Sequence, residues 1–226
     1  MTPEVGHAFR MLVLLAASFW VQDARIAAFG GVASLAVLLW NTAPGHWTAI
    51  GRGFGVANVV TAARVALVLA LPGFGIGAHG AALLALVLVL DGLDGAVARR
   101  RGEASSFGAM FDMESDAWTV AVAGLLTGVA GEPVLVLPGV LRYLYVIAIR
   151  NLPGSRGEAP RSVFARWAFV ALMASLVAGI ARLPGSHWMG IAATLLIFVS
   201  FGRSFVWSFR ATTAARSEPL SGAGAS

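Results

Sequence analysis

Apolar residues fall along the chain in blocks of bilayer length, separated by short connections rich in Gly, Pro and Arg. Six blocks are clearest, at roughly 57–76, 80–99, 107–130, 133–150, 163–182 and 188–209. Each is close to the about 20 apolar residues that a helix needs to cross the hydrocarbon core. Upstream, 8–22 and 26–40 are shorter runs split by Asp23 and Arg25. One continuous helix would bury that charged pair at mid-membrane, so the pattern predicts two short helices or a hairpin. The first run does not read as a signal peptide, because Glu4 stands in its n-region and no small-x-small cleavage site follows at the right place. The expected fold class is an all-α integral membrane protein. It has a six-transmembrane-helix core at 51–212, one or two N-terminal hydrophobic helices in an extension at 1–50, and a polar tail at 213–226 ending in SEPLSGAGAS that is expected to be disordered. No internal repeat is visible.

Composition agrees with that class. Hydrophobic residues make up 58% of the 226 and charged residues 12%, where soluble domains carry roughly 25% charged; the mean hydropathy is +0.80. With 0 cysteines, disulfides, zinc–thiolate sites and iron–sulfur clusters are excluded, and any metal must be held by oxygen or imidazole. The net charge of +5 comes from arginine alone, and in a membrane protein it speaks for topology and phospholipid contact rather than nucleic acid. If the six blocks alternate, Arg52, Arg99, Arg100, Arg101, Arg150, Arg156, Arg161, Arg210 and Arg216 share one side, and the opposite loops carry only Arg182. The positive-inside rule makes the Arg-rich side cytoplasmic. The abundance of Ala, Gly, Val and Arg fits a GC-rich bacterial genome, hence an expected inner-membrane location.

The chemistry is concentrated where the second block ends and the third begins, in DGLDGAVARRRGEASSFGAMFDMESD at 91–116. At about 100° per residue, Asp91, Asp94, Gly95, Ala98 and Arg99 lie on one face of a helix. On the next helix Gly108, Asp112 and Asp116 are spaced by four and form a stripe. Four ionised aspartates at membrane depth would cost about 2.5–3.5 kcal/mol apiece, so they must be hydrated or neutralised together. Hard oxygen ligands suit Mg²⁺, Mn²⁺ or Ca²⁺, and carboxylates three or four residues apart suit two ions about 3.5–4 Å from each other. The glycines leave room for a bulky anion, and Arg99 supplies a donor fork for phosphate. These parts describe metal-assisted phosphoryl transfer at a membrane surface. The alternative is a cation or proton transporter, since intramembrane carboxylates also line ion pathways.

The pattern Asp91-x2-Asp94-Gly95-x2-Ala98-Arg99-x8-Gly108-x3-Asp112-x3-Asp116 resembles, without a gap, the motif of the CDP-alcohol phosphotransferases, membrane enzymes that make phospholipid head groups. Asn58, Thr61 and Arg64 at the start of the first core block also resemble the N-x2-T-x2-R opening of these enzymes. The resemblance covers about residues 55–210 and leaves the first 50 unexplained. It implies a six-helix core, usually homodimeric, with the site open to the cytoplasm. A CDP-linked lipid, most often CDP-diacylglycerol, would donate its phosphatidyl group to an alcohol, and CMP would leave. Carried over by position, Asp91, Asp94, Asp112 and Asp116 would hold two divalent ions, Mg²⁺ or Mn²⁺, and Asp116 would be the general base. Asn58, Thr61, Gly95, Arg99 and Gly108 would hold the CDP. Over the last two aspartates this chain reads MFDMESDA, where the phosphatidylglycerophosphate synthases tend to read FLDPLADK. Glu114 and Ser115 therefore depart from that pattern, and glycerol 3-phosphate is not implied as the acceptor.

Other residues weigh less. Arg142 lies inside a block and is expected to bind the acceptor, as are Arg150 and Arg161 in the following loop, although the latter two serve topology equally well. Arg64 is expected either to touch nucleotide or to snorkel, and Arg203 adds a charge inside the last block. Glu114 lies about 200° from Asp112 on a helix and is expected to face outward or towards a dimer partner. Trp40, Trp47, Trp188 and Trp207 stand near block ends as interface anchors. His7, His46, His79 and His187 have no metal-ligand spacing and receive no role.

Overall fold

The computed structural model describes residues 2–50, 55–101, 105–152 and 162–216, with backbone alone at 43–50, 94–101 and 209–216. Among the described residues it holds eight helices and no strand: α1 Pro3–Val21, α2 Ala24–Ile50, α3 Val56–Phe74, α4 Ala78–Arg101, α5 Ser106–Val129, α6 Leu137–Asn151, α7 Val163–Ile180 and α8 Ser186–Arg216. A turn of 3-10 helix, Pro133–Val136, leads into α6. The six predicted core blocks correspond to α3 to α8 and the two upstream runs to α1 and α2. Helix α8 reaches Arg216, past the expected end of the core at 212, and residues 217–226 of the tail lie outside the described residues.

Local chemistry explains the ends. The Asp23–Arg25 pair that argued against one long helix sits in the break between α1 and α2. Gln22 turns the chain with φ 61, and the Asp23 carboxylate accepts from the Arg25 backbone N–H at 2.9 Å, opening α2. Ser105 caps α5 by accepting from the Gly108 N–H at 3.0 Å, and Ser162 caps α7 by accepting from the Ala165 N–H at 3.0 Å. Such caps satisfy donors that a helix start leaves open.

Helix α5 is the centre of the bundle. From Phe107 to Gly128 most of its side chains are buried, and it packs on α1, α2, α3, α6 and α7. The N-terminal helices form an antiparallel hairpin docked on α5 and α6. Trp118 of α5 donates its indole N–H to the Ala27 carbonyl of α2 at 3.2 Å. Gly31 lies directly against the same indole, where any β-carbon would collide with it; a small residue is what lets the helices approach.

Among the described residues, six helices are long and apolar enough to cross a membrane, judged by length and composition: α1, Ala24–Thr42 of α2, α3, Pro133–Asn151, α7 and Ser186–Ser208 of α8. Both hairpin helices are among them, and the described side chains of α4 give a shorter apolar stretch, Ala78–Leu93. Trp40, Trp188 and Trp207 are exposed, as interface anchors should be, and the Trp47 side chain lies outside the described residues.

Candidate active site

Three helices converge at the end of the bundle where α3 and α5 begin and α4 ends. Helix α4 brings Asp91, and α5 brings Asp112 and Asp116 one turn apart. One oxygen from each of the three carboxylates lies within 4.8 Å of the others. Helix α3 adds Arg64, which follows Asn58 and Thr61 at intervals of three, all three of them buried. Arg64 Nη1 lies 2.7 Å from Asp91 and 2.9 Å from Asp112, and Nη2 pairs with Asp116. Its side chain is 2% exposed, against 30%, 30% and 21% for the three carboxylates. Arg64 therefore does not snorkel, as the sequence allowed, but lies behind the acids and draws them together.

Among the described residues, three carboxylates facing one guanidinium leave, when all are ionised, an excess of two negative charges. In a partly buried position that excess needs a cation, and an all-oxygen donor set selects a hard divalent one. The donors present thus fit Mg²⁺ or Mn²⁺. Gly108 stands beside the cluster with no room to spare: a β-carbon there would lie 3.0 Å from Asn58 Oδ1 and 3.1 Å from Ser105 Oγ. That contact joins the α3 start to the α5 start, two of the segments expected to hold CDP. Thr61 donates its hydroxyl to the Ala57 carbonyl at 3.2 Å. For Asp94, Gly95 and Arg99 the backbone lies in α4, and their side-chain surroundings lie outside the described residues, as does Arg161 altogether.

Asp91, Asp112 and Asp116 form one wall of a cavity of about 390 Å³ between α5, α6, α7 and α8. Arg142 of α6 and Arg166 of α7 line it, with Tyr145, Ser200 and Ser204 among the other polar side chains and Val120, Phe169, Leu172 and Ile197 making apolar walls. The cavity joins carboxylates, arginines and apolar surface, the mixture common in small-molecule sites. Arg142, expected to bind the acceptor, is in the cavity lining. Arg150 lies at the end of α6, pairs with Glu4 of α1 at 3.5 Å and is not in the cavity lining. Arg166 was missed, although an arginine one turn into the apolar run of α7 was a readable signal. Arg203 packs over the Phe164 ring at 5.3 Å.

The opposite face of α5 corrects the expectation for Glu114. It is 6% exposed and faces inward. Oε1 accepts from Arg142 Nη2 at 3.2 Å, and Oε2 lies 3.6 Å from Nε2 of His7, a histidine left without a role. The angle of about 200° from Asp112 was sound. The face it pointed to is covered by α1, and one helix's periodicity carries no information about which other helix packs on it.

The chain belongs to the CDP-alcohol phosphatidyltransferase family, whose model matches residues 54–216. The family transfers a phosphatidyl group from a CDP-alcohol to an alcohol in a membrane and depends on divalent metal, and its membership favours the transferase over the transporter. No curated protein and no solved structure matches the chain.

Proposed function

We propose that this protein moves the phosphatidyl group of CDP-diacylglycerol to a small alcohol and releases CMP, a step of phospholipid biosynthesis. The observation that supports this most is the convergence of Asp91, Asp112 and Asp116 on one wall of a cavity whose other walls carry Arg142 and Arg166. Asp91, Asp94, Asp112 and Asp116 would hold two divalent ions. When bound, such ions neutralise the diphosphate and the charge that develops on departing CMP. Asp116 takes the proton of the acceptor hydroxyl. The acceptor oxygen then bonds to the phosphorus of the phosphatidyl group, and the bond from that phosphorus to the bridging oxygen breaks, so the bridging oxygen leaves with CMP. Asn58, Thr61, Gly95, Arg99 and Gly108 make the CDP side. Arg142 would bind the acceptor, with Arg150 and Arg161 as the further candidates the sequence offers, and Arg64 draws the three carboxylates together.

The functional unit in this reading is the core at 51–212, with the hairpin appended at 1–50, working as a homodimer in a bacterial inner membrane with the site end in the cytoplasm. The test is to supply purified protein and Mg²⁺ with labelled CDP-diacylglycerol and a panel of alcohols: glycerol 3-phosphate, myo-inositol, glycerol and serine. One new phospholipid, identified by mass, is the expected result. Failure of every acceptor, with Mg²⁺ still bound, would overturn the reading.

A further inference from the structure

The N-terminal hairpin lies outside the residues that match the family, yet it reaches the site. His7, 2% exposed, sits on α1 with Nδ1 hydrogen-bonded and Nε2 buried without a hydrogen-bond partner, facing Glu114. Nδ1 is 2.9 Å from Ser34 Oγ, and the same oxygen accepts from Arg10 Nε at 2.9 Å. When the Ser34 hydroxyl, which accepts from Arg10, gives its proton to Nδ1, the imidazole carries its own proton on Nε2, 3.6 Å from Glu114 Oε2 and so just beyond hydrogen-bond length. The other oxygen of Glu114 accepts from Arg142, and Arg142 lines the cavity opposite the aspartates. The ring of Tyr143 packs edge-on to His7 at 5.9 Å and closes this group from the side.

We propose that the hairpin completes the acceptor side of the site, with His7 as a positioning residue that orients Glu114 and, through it, the Arg142 guanidinium at the cavity wall. The inference rests on the transferase reading above. Arginine has many rotamers, and a guanidinium held in one orientation before the acceptor arrives does not lose that freedom on binding. The Ala27 contact to Trp118 and the Glu4 contact to Arg150 fix the hairpin to α5 and α6, so the position of His7 is set by packing and not by the His7–Glu114 contact itself. That separation is what makes His7 testable apart from folding.

The experiment measures CMP release by the purified full-length protein from CDP-diacylglycerol in Mg²⁺, using whichever of glycerol 3-phosphate, myo-inositol, glycerol or serine is turned over fastest. His7→Ala is expected to raise the acceptor KM about 3- to 10-fold, while kcat and the CDP-diacylglycerol KM stay within about twofold, the size expected for loosening a single polar contact. His7→Gln, whose amide N–H can face Glu114, should recover much of the loss. The double variant His7→Ala with Glu114→Gln should be no worse than Glu114→Gln alone, because the two act in series. An unchanged acceptor KM, equal losses towards both substrates, or additive effects in the double variant would overturn the proposal. Should His7→Ala not be recovered folded, His7→Gln and Glu114→Gln carry the same comparison. A wild type that releases CMP with none of the four alcohols sinks the transferase reading and this proposal with it. A wild type that turns over while the His7 variants show no split sinks this proposal alone.

Discussion

Helix α5 carries acids on two faces, and their surroundings differ in kind. On one face Asp112 and Asp116 meet Asp91 at a cavity, 21–30% exposed, three carboxylates around a single guanidinium. On the other, Glu114 is 7% exposed in its side chain and held between Arg142 and His7. Among the described residues the first group is open and short of positive charge. The second is closed, with its carboxylate paired to Arg142. Burial without compensation is costly for a carboxylate, so the closed group is stable as it stands, whereas the open one asks for a further cation. One helix thus separates the chemistry from the support that shapes it.

Substitutions at the open face should have the largest effect. Asp112→Asn removes a metal donor and is expected to cut CMP release by about 10³-fold with the fold intact by circular dichroism, on the scale of losing a principal charge-stabilising group. Asp116→Asn should lose both a donor and the base, at least about 10²- to 10⁴-fold, and added Mg²⁺ should not restore it. Next comes Arg64→Ala. It leaves the three carboxylates without their shared partner and should destabilise the metal-free protein by about 2 kcal/mol, less than breaking a fully buried pair because the acids are partly exposed. Thermal unfolding with and without Mg²⁺ checks this, and Mg²⁺ should raise the Tm of Arg64→Ala more than that of wild type.

The closed face should respond through stability and not through donor use. Trp118→Phe removes the hydrogen bond to Ala27 and should cost about 1 kcal/mol, seen as a lower Tm with an unchanged CDP-diacylglycerol KM. Smallest of all, Arg25→Ala breaks only the exposed pair with Asp23 in the hairpin turn and should move stability by less than ~0.5 kcal/mol. A large effect of Arg25→Ala together with a small one of Arg64→Ala would invert the comparison.

The fold was legible because apolar blocks of bilayer length carry their own message: all six core blocks became helices, and Asp23 with Arg25 marked the hairpin turn. The α5 carboxylates were legible because a spacing of four puts Asp112 and Asp116 on a single face. What escaped were contacts between helices far apart in sequence. The grip of Arg64 on Asp91, Asp112 and Asp116 spans up to 52 residues, and nothing in the local pattern at Arg64 distinguishes a buried partner from a snorkelling one. The same holds for Glu114 and His7. Each was read on its own helix, yet their meeting depends on how the hairpin docks, through Gly31 against Trp118. Arg166 is a different case, since an arginine one turn into the apolar run of α7 could have been read from the sequence.

The most direct measurement of the central claim is CMP release from CDP-diacylglycerol by the purified protein, with an alcohol acceptor, in Mg²⁺ and after chelation, for wild type and Asp116→Asn side by side. Turnover in wild type that requires Mg²⁺ and is abolished in a folded Asp116→Asn protein is the expected result. Equal CMP release by the two proteins, or release that survives chelation undiminished, would contradict the account.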